Sequence, residues 1–225
     1  MIRKVAIRNY RLLREFDLEF SQGVNILVGN NDTGKSTLIE AINLALTGRI
    51  HGRPLAQEIS PYLINLDATR EYVQSLQSAG GKPPLPPTMI IDVFLEDADE
   101  TEILRGTNNV HGENACGVRI QAKLSPDFYE EYSSFVGEPA TVRLAPTEYY
   151  RVDWLGFSGN AVSARSVPAT ASVIDPTTIR LQSGVDYHLQ QIIRSHLDTK
   201  ERYRPTVRCC SKAKPTRPRP QQVVP

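Results

Sequence analysis

The sequence predicts an α/β fold, a mixed sheet that is antiparallel in part and carries helices on its flanks. Three observations point there. A short β-branched, apolar run at residues 23–28 stands directly before a glycine-rich loop, Gly29-Asn30-Asn31-Asp32-Thr33-Gly34-Lys35-Ser36-Thr37. The loop passes straight into residues whose apolar positions, Leu38, Ile42, Ala45 and Leu46 with Ala41 beside them, recur at helical spacing. Two alternating stretches come first, so the loop follows a three-strand opening.

Residues 2–9 alternate, with Ile2, Val5 and Ile7 apolar and Arg3, Lys4 and Arg8 polar, as in a half-buried strand. Residues 10–13 turn the chain. Phe16, Leu18 and Phe20 alternate with Asp17 and Glu19, which predicts a second strand antiparallel to the first. Residues 21–23 form a tight turn into the buried strand expected at 23–28.

The loop reads G-x-x-x-x-G-K-S, the phosphate-binding loop of nucleoside triphosphatases. Triphosphate oxygens need several backbone N–H groups converging at close range, and a run of successive amides around one concavity supplies them. Gly29 and Gly34 permit dihedrals and an approach that a Cβ would block. The expected cradle is the backbone of Asn30, Asn31, Asp32, Thr33, Gly34, Lys35, Ser36 and Thr37. Lys35 places its ammonium on the β- and γ-phosphates of ATP. Ser36 offers a hydroxyl to Mg²⁺, an ion that keeps most of its shell as water and phosphate oxygen. The helix that follows aims its positive end at the phosphates, and Gly48 stops it.

Residues 49–57 read as loop. A helix is expected over 62–76, with Asp67 a candidate cap. Residues 80–87, Gly-Gly-Lys-Pro-Pro-Leu-Pro-Pro, exclude helix and central strand and read as a partly polyproline connector, a stiff surface loop more than a PxxP ligand. Residues 88–97 form a strand in which Asp92 sits inside the alternation Ile91, Val93, Leu95, a pattern of one-sided burial. A short acidic helix follows at 98–104, then a polar loop or hairpin tip at 107–117, a strand at 117–124 and a turn or short helix at 127–132. Two further strands are expected at 140–144 and 149–154. Tyr149, Tyr150 and Trp154 on the second could stack nucleic-acid bases, but an aromatic strand packed on a sheet is the more ordinary reading. A strand at 167–174 leads to a helix start at Asp175-Pro176, and 185–197 reads as helix. From Arg202 the chain turns basic, Pro-rich and non-periodic, which predicts a first domain over 1–203 and a tail over 204–225. The tail reads as a truncation or frameshift remnant more than as a phosphate-contacting arm.

The 225 residues suffice for one large domain or two small ones. A net charge of +1 gives no global polyanion-binding signature. Three cysteines, two of them the neighbours Cys209 and Cys210, make no disulfide framework and suit a reducing cytoplasm. The four histidines share no metal-ligand spacing with them. The first residues lack the apolar stretch of a signal peptide, and no 18-residue apolar run exists, so a cytoplasmic protein without a membrane role is expected.

Residues 7–11 (Ile-Arg-Asn-Tyr-Arg), Phe20 and residues 23–42 together resemble the opening of ABC-type ATPase heads of the SMC, recombination-repair and OLD (overcoming-lysogenization-defect) families. Asn9-Tyr10-Arg11 followed by Gly-Asn-Asn-Asp-Thr-Gly-Lys-Ser-Thr is most similar to the OLD group, and residues 174–187 also look OLD-like. The resemblance implies a P-loop NTPase of ABC-ATPase type and places Arg11 near the bound nucleotide, although a surface arginine at a turn is an equal reading. It implies a composite ATP site completed by a second copy or a partner chain, through a signature motif and a late metal-side strand that this sequence does not display. Asp92 comes too early in the chain for that strand. The C-terminal Toprim nuclease half of OLD proteins is also missing. The expectation is an ATP-binding lobe of an OLD-like nuclease with little turnover and no cleavage of its own. The alternatives are an ATP-gated DNA-binding module of recombination-repair type, or a non-enzymatic effector in phage defence.

Overall fold

The computed structural model describes residues 1–78, 82–138, 141–163 and 166–168. The helices expected after Asp175, the tail and most of the 167–174 strand lie outside the described residues.

The opening hairpin forms with a tighter turn than expected, since Leu13 already pairs with Tyr10. β1 (Ile2–Tyr10) pairs antiparallel with β2 (Leu13–Glu19) in the register Val5↔Leu18 and Ile7↔Phe16. Next comes α1 (Lys35–Thr47), ended by Gly48 at φ 67°, whose N–H caps the Leu44 carbonyl. A two-residue hairpin, β3 (Arg49–Ile50) and β4 (Arg53–Pro54), turns at His51-Gly52, both with positive φ. Residues that short carry no alternation to read, and the positive φ values mark the tight primed turn instead. After α2 (Leu55–Glu58), α3 (Leu66–Ser78) begins. Its cap is Asn65 rather than Asp67: the Asn65 side-chain oxygen accepts from the amides of Asp67 and Ala68, 3.1 Å each. Asp67 instead pairs with Arg70.

The remaining strands are β5 (Met89–Leu95), β6 (Arg105–Gly106), β7 (Ala115–Leu124) and β8 (Tyr150–Gly156), with α4 (Tyr129–Phe135) between the last two. The sheet order is β2-β1-β5-β7-β6, with β8 also on β7, and every described pairing is antiparallel. Residues 98–104 hold a single 3-10 turn, Glu102–Leu104, instead of a helix. Residues 141–144 are not a strand either, and Val142 buries itself in a side cluster with Tyr72, Leu76, Tyr132 and Val136.

α1 lies on one face of this sheet. Leu38, Ala41, Leu44 and Ala45 pack with Val5, Ile7, Ile91, Val93, Val118 and Ile120, which alternation directs to that side. Trp154 closes the contact. Its indole donates to the Ala45 carbonyl at 2.8 Å, and the ring lies so close to Gly48 that a Cβ there would come within 2.7 Å. Tyr150 is buried, with its hydroxyl on the Pro87 carbonyl at 2.7 Å. The aromatic strand is therefore packing material.

The opposite face corrects the expectation of one-sided burial for the 88–97 strand. β5 lies between β1 and β7 and is covered on both faces. Asp92 is fully buried opposite its cross-strand neighbour Arg119, which donates through Nε (2.8 Å) and Nη2 (2.7 Å) while the Val110 amide adds a third bond at 2.7 Å. Arg119 Nη1 donates a further hydrogen bond to Asn108 Oδ1 at 3.2 Å. The pair thereby pins the 107–114 loop over the sheet, and its alternating position in the sequence disguised a saturated polar centre.

Removing one partner of a buried ion pair strands the other. Asp92→Ala should lower the unfolding free energy by about 3–5 kcal/mol in urea denaturation. The double variant Asp92→Leu/Arg119→Met should recover most of that loss. An Asp92→Ala chain as stable as the parent would refute the structural role.

Candidate nucleotide-binding site

Residues 29–37 fold into a loop whose backbone alternates in hand. Asp32 has φ 64° and Gly34 φ 88°, and α1 starts immediately after. Alternating dihedrals turn successive amides toward one concavity. The first helical bond runs from the Leu38 amide to the Gly34 carbonyl at 2.8 Å. Among the described residues, no well-formed hydrogen bond to the chain is made by the amides of residues 30–37, although the turn at Asn31-Asp32 brings the Thr33 amide toward the Asn30 carbonyl. No side chain caps α1, and no acidic residue sits in its first turn. Helix starts normally recruit a Ser, Thr, Asp or Asn oxygen for these donors. Here the donors and the positive end of the helix dipole stay available to an anion.

Lys35 shapes the cradle from inside. Its ammonium donates to the Gly29 carbonyl at 2.7 Å and to the Asn30 carbonyl, with Thr33 Oγ1 at 3.4 Å. Thr33 Oγ1 donates in turn to the Asn30 carbonyl at 2.9 Å. The lysine thus cross-braces the start of the loop to its end. Gly29 leaves room for this brace, since a Cβ there would sit 2.9 Å from Thr33 Oγ1. Ser36 is exposed beside the free amides, a fitting place for a hydroxyl ligand of Mg²⁺. Among the described residues no group of three His, Cys, Asp or Glu side chains could hold a metal ion alone. A cavity of ≈ 240 Å³ opens against the loop, walled by Leu13, Phe16, Leu27, Val28 and Leu38. It lies below the usual range of ~300–1,000 Å³ for small-molecule sites, enough for phosphates but not for a whole nucleotide.

The strand expected to feed the loop is not formed. Residues 23–28 run without regular structure, and Val24, Ile26 and Val28 are 86%, 80% and 89% exposed. The β-branched, apolar run predicts a buried strand and the structure corrects it: a strand exists only beside a partner, and none of the described residues pairs with it.

Arg11 sits at the β1–β2 turn with φ 47°, its amide on the Leu63 carbonyl and its own carbonyl taken by Asn65. Its guanidinium reaches Glu40 at 3.0 Å, and the Tyr10 hydroxyl donates to the same carboxylate. Burial and the adjoining Glu40 carboxylate push the Tyr10 hydroxyl well above the ordinary tyrosine range. Glu40 follows Lys35 by about a turn and a half on α1, so this cluster ties the turn to the loop's own helix. Sequence reasoning singled out Arg11 but missed Tyr10 and Glu40, whose meeting across 30 positions no local pattern announces.

Fold and loop together define an α/β protein with a phosphate-loop motif between its opening strands and α1. A family model described as AAA domain matches residues 4–123, and the chain belongs to that family. It is 31% identical over 127 residues to the DNA replication and repair protein RecF of Thioalkalivibrio sulfidiphilus, across 56% of this chain and 31% of that protein. It is 49% identical over 49 residues to the DNA double-strand break repair Rad50 ATPase of Methanopyrus kandleri, across 22% and 6%. A structure of the recombination mediator protein RecF with ATP covers 72% of this chain and 27% of its own at 18% identity, with a TM-score of 0.34. The aligned part spans less than a third of each of these proteins. The curated relatives favour the recombination-repair reading over the OLD-type one. Among the described residues no helix is long and apolar enough to cross a membrane.

Gly34 has the φ that L residues avoid, and its absent Cβ would lie 3.3 Å from Leu13 Cδ2. Gly34→Ala should cost about 1–2 kcal/mol of stability from the left-handed backbone alone. It should also weaken nucleotide binding, both read by thermal unfolding with and without ATP.

Proposed function

We propose that this chain is the ATP-binding domain of a recombination-repair ATPase of the RecF/Rad50 kind, working on DNA as an ATP-gated module. The observation that carries this reading is the uncapped start of α1, where no amide of residues 30–37 makes a well-formed hydrogen bond among the described residues around the Lys35 ammonium. In this reading the amides and Lys35 grip the β- and γ-phosphates. Two ammonium protons hold the Gly29 and Asn30 carbonyls, and the third, which makes only the long 3.4 Å contact with Thr33 Oγ1, turns to phosphate. Ser36 ligates Mg²⁺, which neutralises phosphate charge when bound. Arg11, held by Glu40 beside α1, is proposed to lie near the nucleotide.

Phosphoryl transfer also needs a group that orients water and further charge around the leaving phosphate. Asp92, the acidic strand residue within reach of sequence reasoning, is saturated by Arg119 and Val110. We therefore propose that a second copy or a partner chain completes the site, and that this chain alone binds ATP with little turnover. The exposed Val24, Ile26 and Val28 support this, because their strand pattern calls for a neighbour. The DNA-repair assignment draws on the curated relatives.

The OLD-type nuclease reading rests on Asn9-Tyr10-Arg11 and the loop residues. Magnesium- or manganese-dependent cleavage of plasmid DNA by this chain would favour it.

Removing a charge-assisted donor costs about 1.5–3 kcal/mol. Lys35→Ala should therefore bind Mg-ATP roughly 10- to 100-fold more weakly in calorimetric titration. Parental affinity in that variant would overturn the assignment.

A further inference from the structure

A second concavity lies on the far end of β7. It has a volume of ≈ 560 Å³ and is lined by Lys82, Leu85, Pro86, Thr88, Lys123, Leu124, Pro126 and Tyr129. It is larger than the cavity at the phosphate loop and shares no residue with it.

Its walls are built rather than incidental. One wall is the proline-rich strap of residues 82–88. The Tyr132 hydroxyl donates to the Pro84 carbonyl and the Tyr150 hydroxyl to the Pro87 carbonyl. Tyr72 stands behind Tyr132, hydroxyl to hydroxyl at 3.0 Å. Two of the strap's carbonyls are thus held by the fold's own tyrosines, which fixes it as a wall. The other wall is the end of β7 with the turn into α4, where the Ser125 amide bonds the Tyr149 carbonyl at 2.9 Å.

The chemistry of the lining is divided. Leu85, Pro86, Leu124, Pro126 and Tyr129 offer apolar surface, and Lys82 and Lys123 bring cations. None of these residues is acidic. Lys82 stands over the Tyr129 ring at 5.4 Å. Lys123 shares one carboxylate, Asp153, with Arg151, at 3.5 and 3.3 Å. One negative charge between two cations leaves a surplus positive charge there. The exposed acids Asp127 and Glu130, on either side of Tyr129, oppose a long polyanion such as a nucleic-acid strand. They tolerate a single negative group held between the lysines. The groove is also open, so a ligand can continue outward from it.

We propose that this groove receives the carboxyl terminus of a partner polypeptide: its last apolar side chain rests on Leu85, Leu124 and Tyr129, and its terminal carboxylate lies between the Lys82 and Lys123 ammonium groups. A chain end suits the site because it joins one apolar side chain to one carboxylate at fixed spacing. The rigid strap lowers the ordering cost of docking.

The test uses fluorescence anisotropy with the full chain and labelled hexapeptides ending in Phe, Leu, Ile or Val. Each is compared as free acid and as amide. At least one free acid should bind, and amidation should weaken it at least tenfold. The double variant Lys82→Glu/Lys123→Glu should lose the same binding while keeping its ATP affinity, which shows that it remains folded. Should that variant lose ATP affinity too, Lys82→Gln/Lys123→Gln serves in its place. Equal binding of acid and amide, no binding by any peptide at millimolar concentration, or competition for the groove by a single-stranded oligonucleotide would each overturn the proposal.

Discussion

The start of α1 leaves its amides without a side-chain cap, and under the proposed phosphate-binding role that constraint organises the rest of the described fold. Buried amides without partners are costly, so the fold can keep them only at a solvent-facing helix start. The start cannot be capped by a side chain without closing the site. Stability lost at that end has to come from the rest of α1, and it does. Leu38, Ala41, Leu44 and Ala45 are buried against three strands, and Gly48 with Trp154 closes the other end. The Lys35 brace supplies what a cap would otherwise give, holding Gly29 and Asn30 in place without a side-chain oxygen on the helix start.

The two sheet faces divide the work. One is apolar and seats the nucleotide helix. The other holds the Asp92–Arg119 pair, which fixes the 107–114 loop. Side chains on neighbouring strands directly opposite each other make such a pair possible, and β5 can bury a carboxylate only because β7 delivers a guanidinium in register. The same acidic strand residue in an open cleft would invite a catalytic reading. Its three donors show instead a charge already spent on architecture.

Local signals were legible in the sequence and non-local ones were not. The loop, α1, β1 and β8 each carry their own period or motif and fall within a residue or two of the expected bounds, while β2 starts three residues earlier than its alternation suggested. The capping role of Asn65, the Tyr10–Glu40–Arg11 cluster and the double coverage of β5 depend on distant partners. Residues 23–28 show the limit from the other side. Their β-branched, apolar run was visible, yet hydrogen bonds to a neighbouring strand decide whether such a run becomes structure. The apparent strand at 140–144 failed for a related reason: Val142 found burial among tyrosines without joining a ladder.

Trp154 is the chain's single tryptophan. Its indole is bonded to the helix that begins at the phosphate loop and is stacked against that helix's terminal glycine. Any shift of α1 along its axis alters the polarity around one chromophore and no other of its kind. The protein therefore carries its own optical gauge, and emission from this one ring follows the helix without an attached dye.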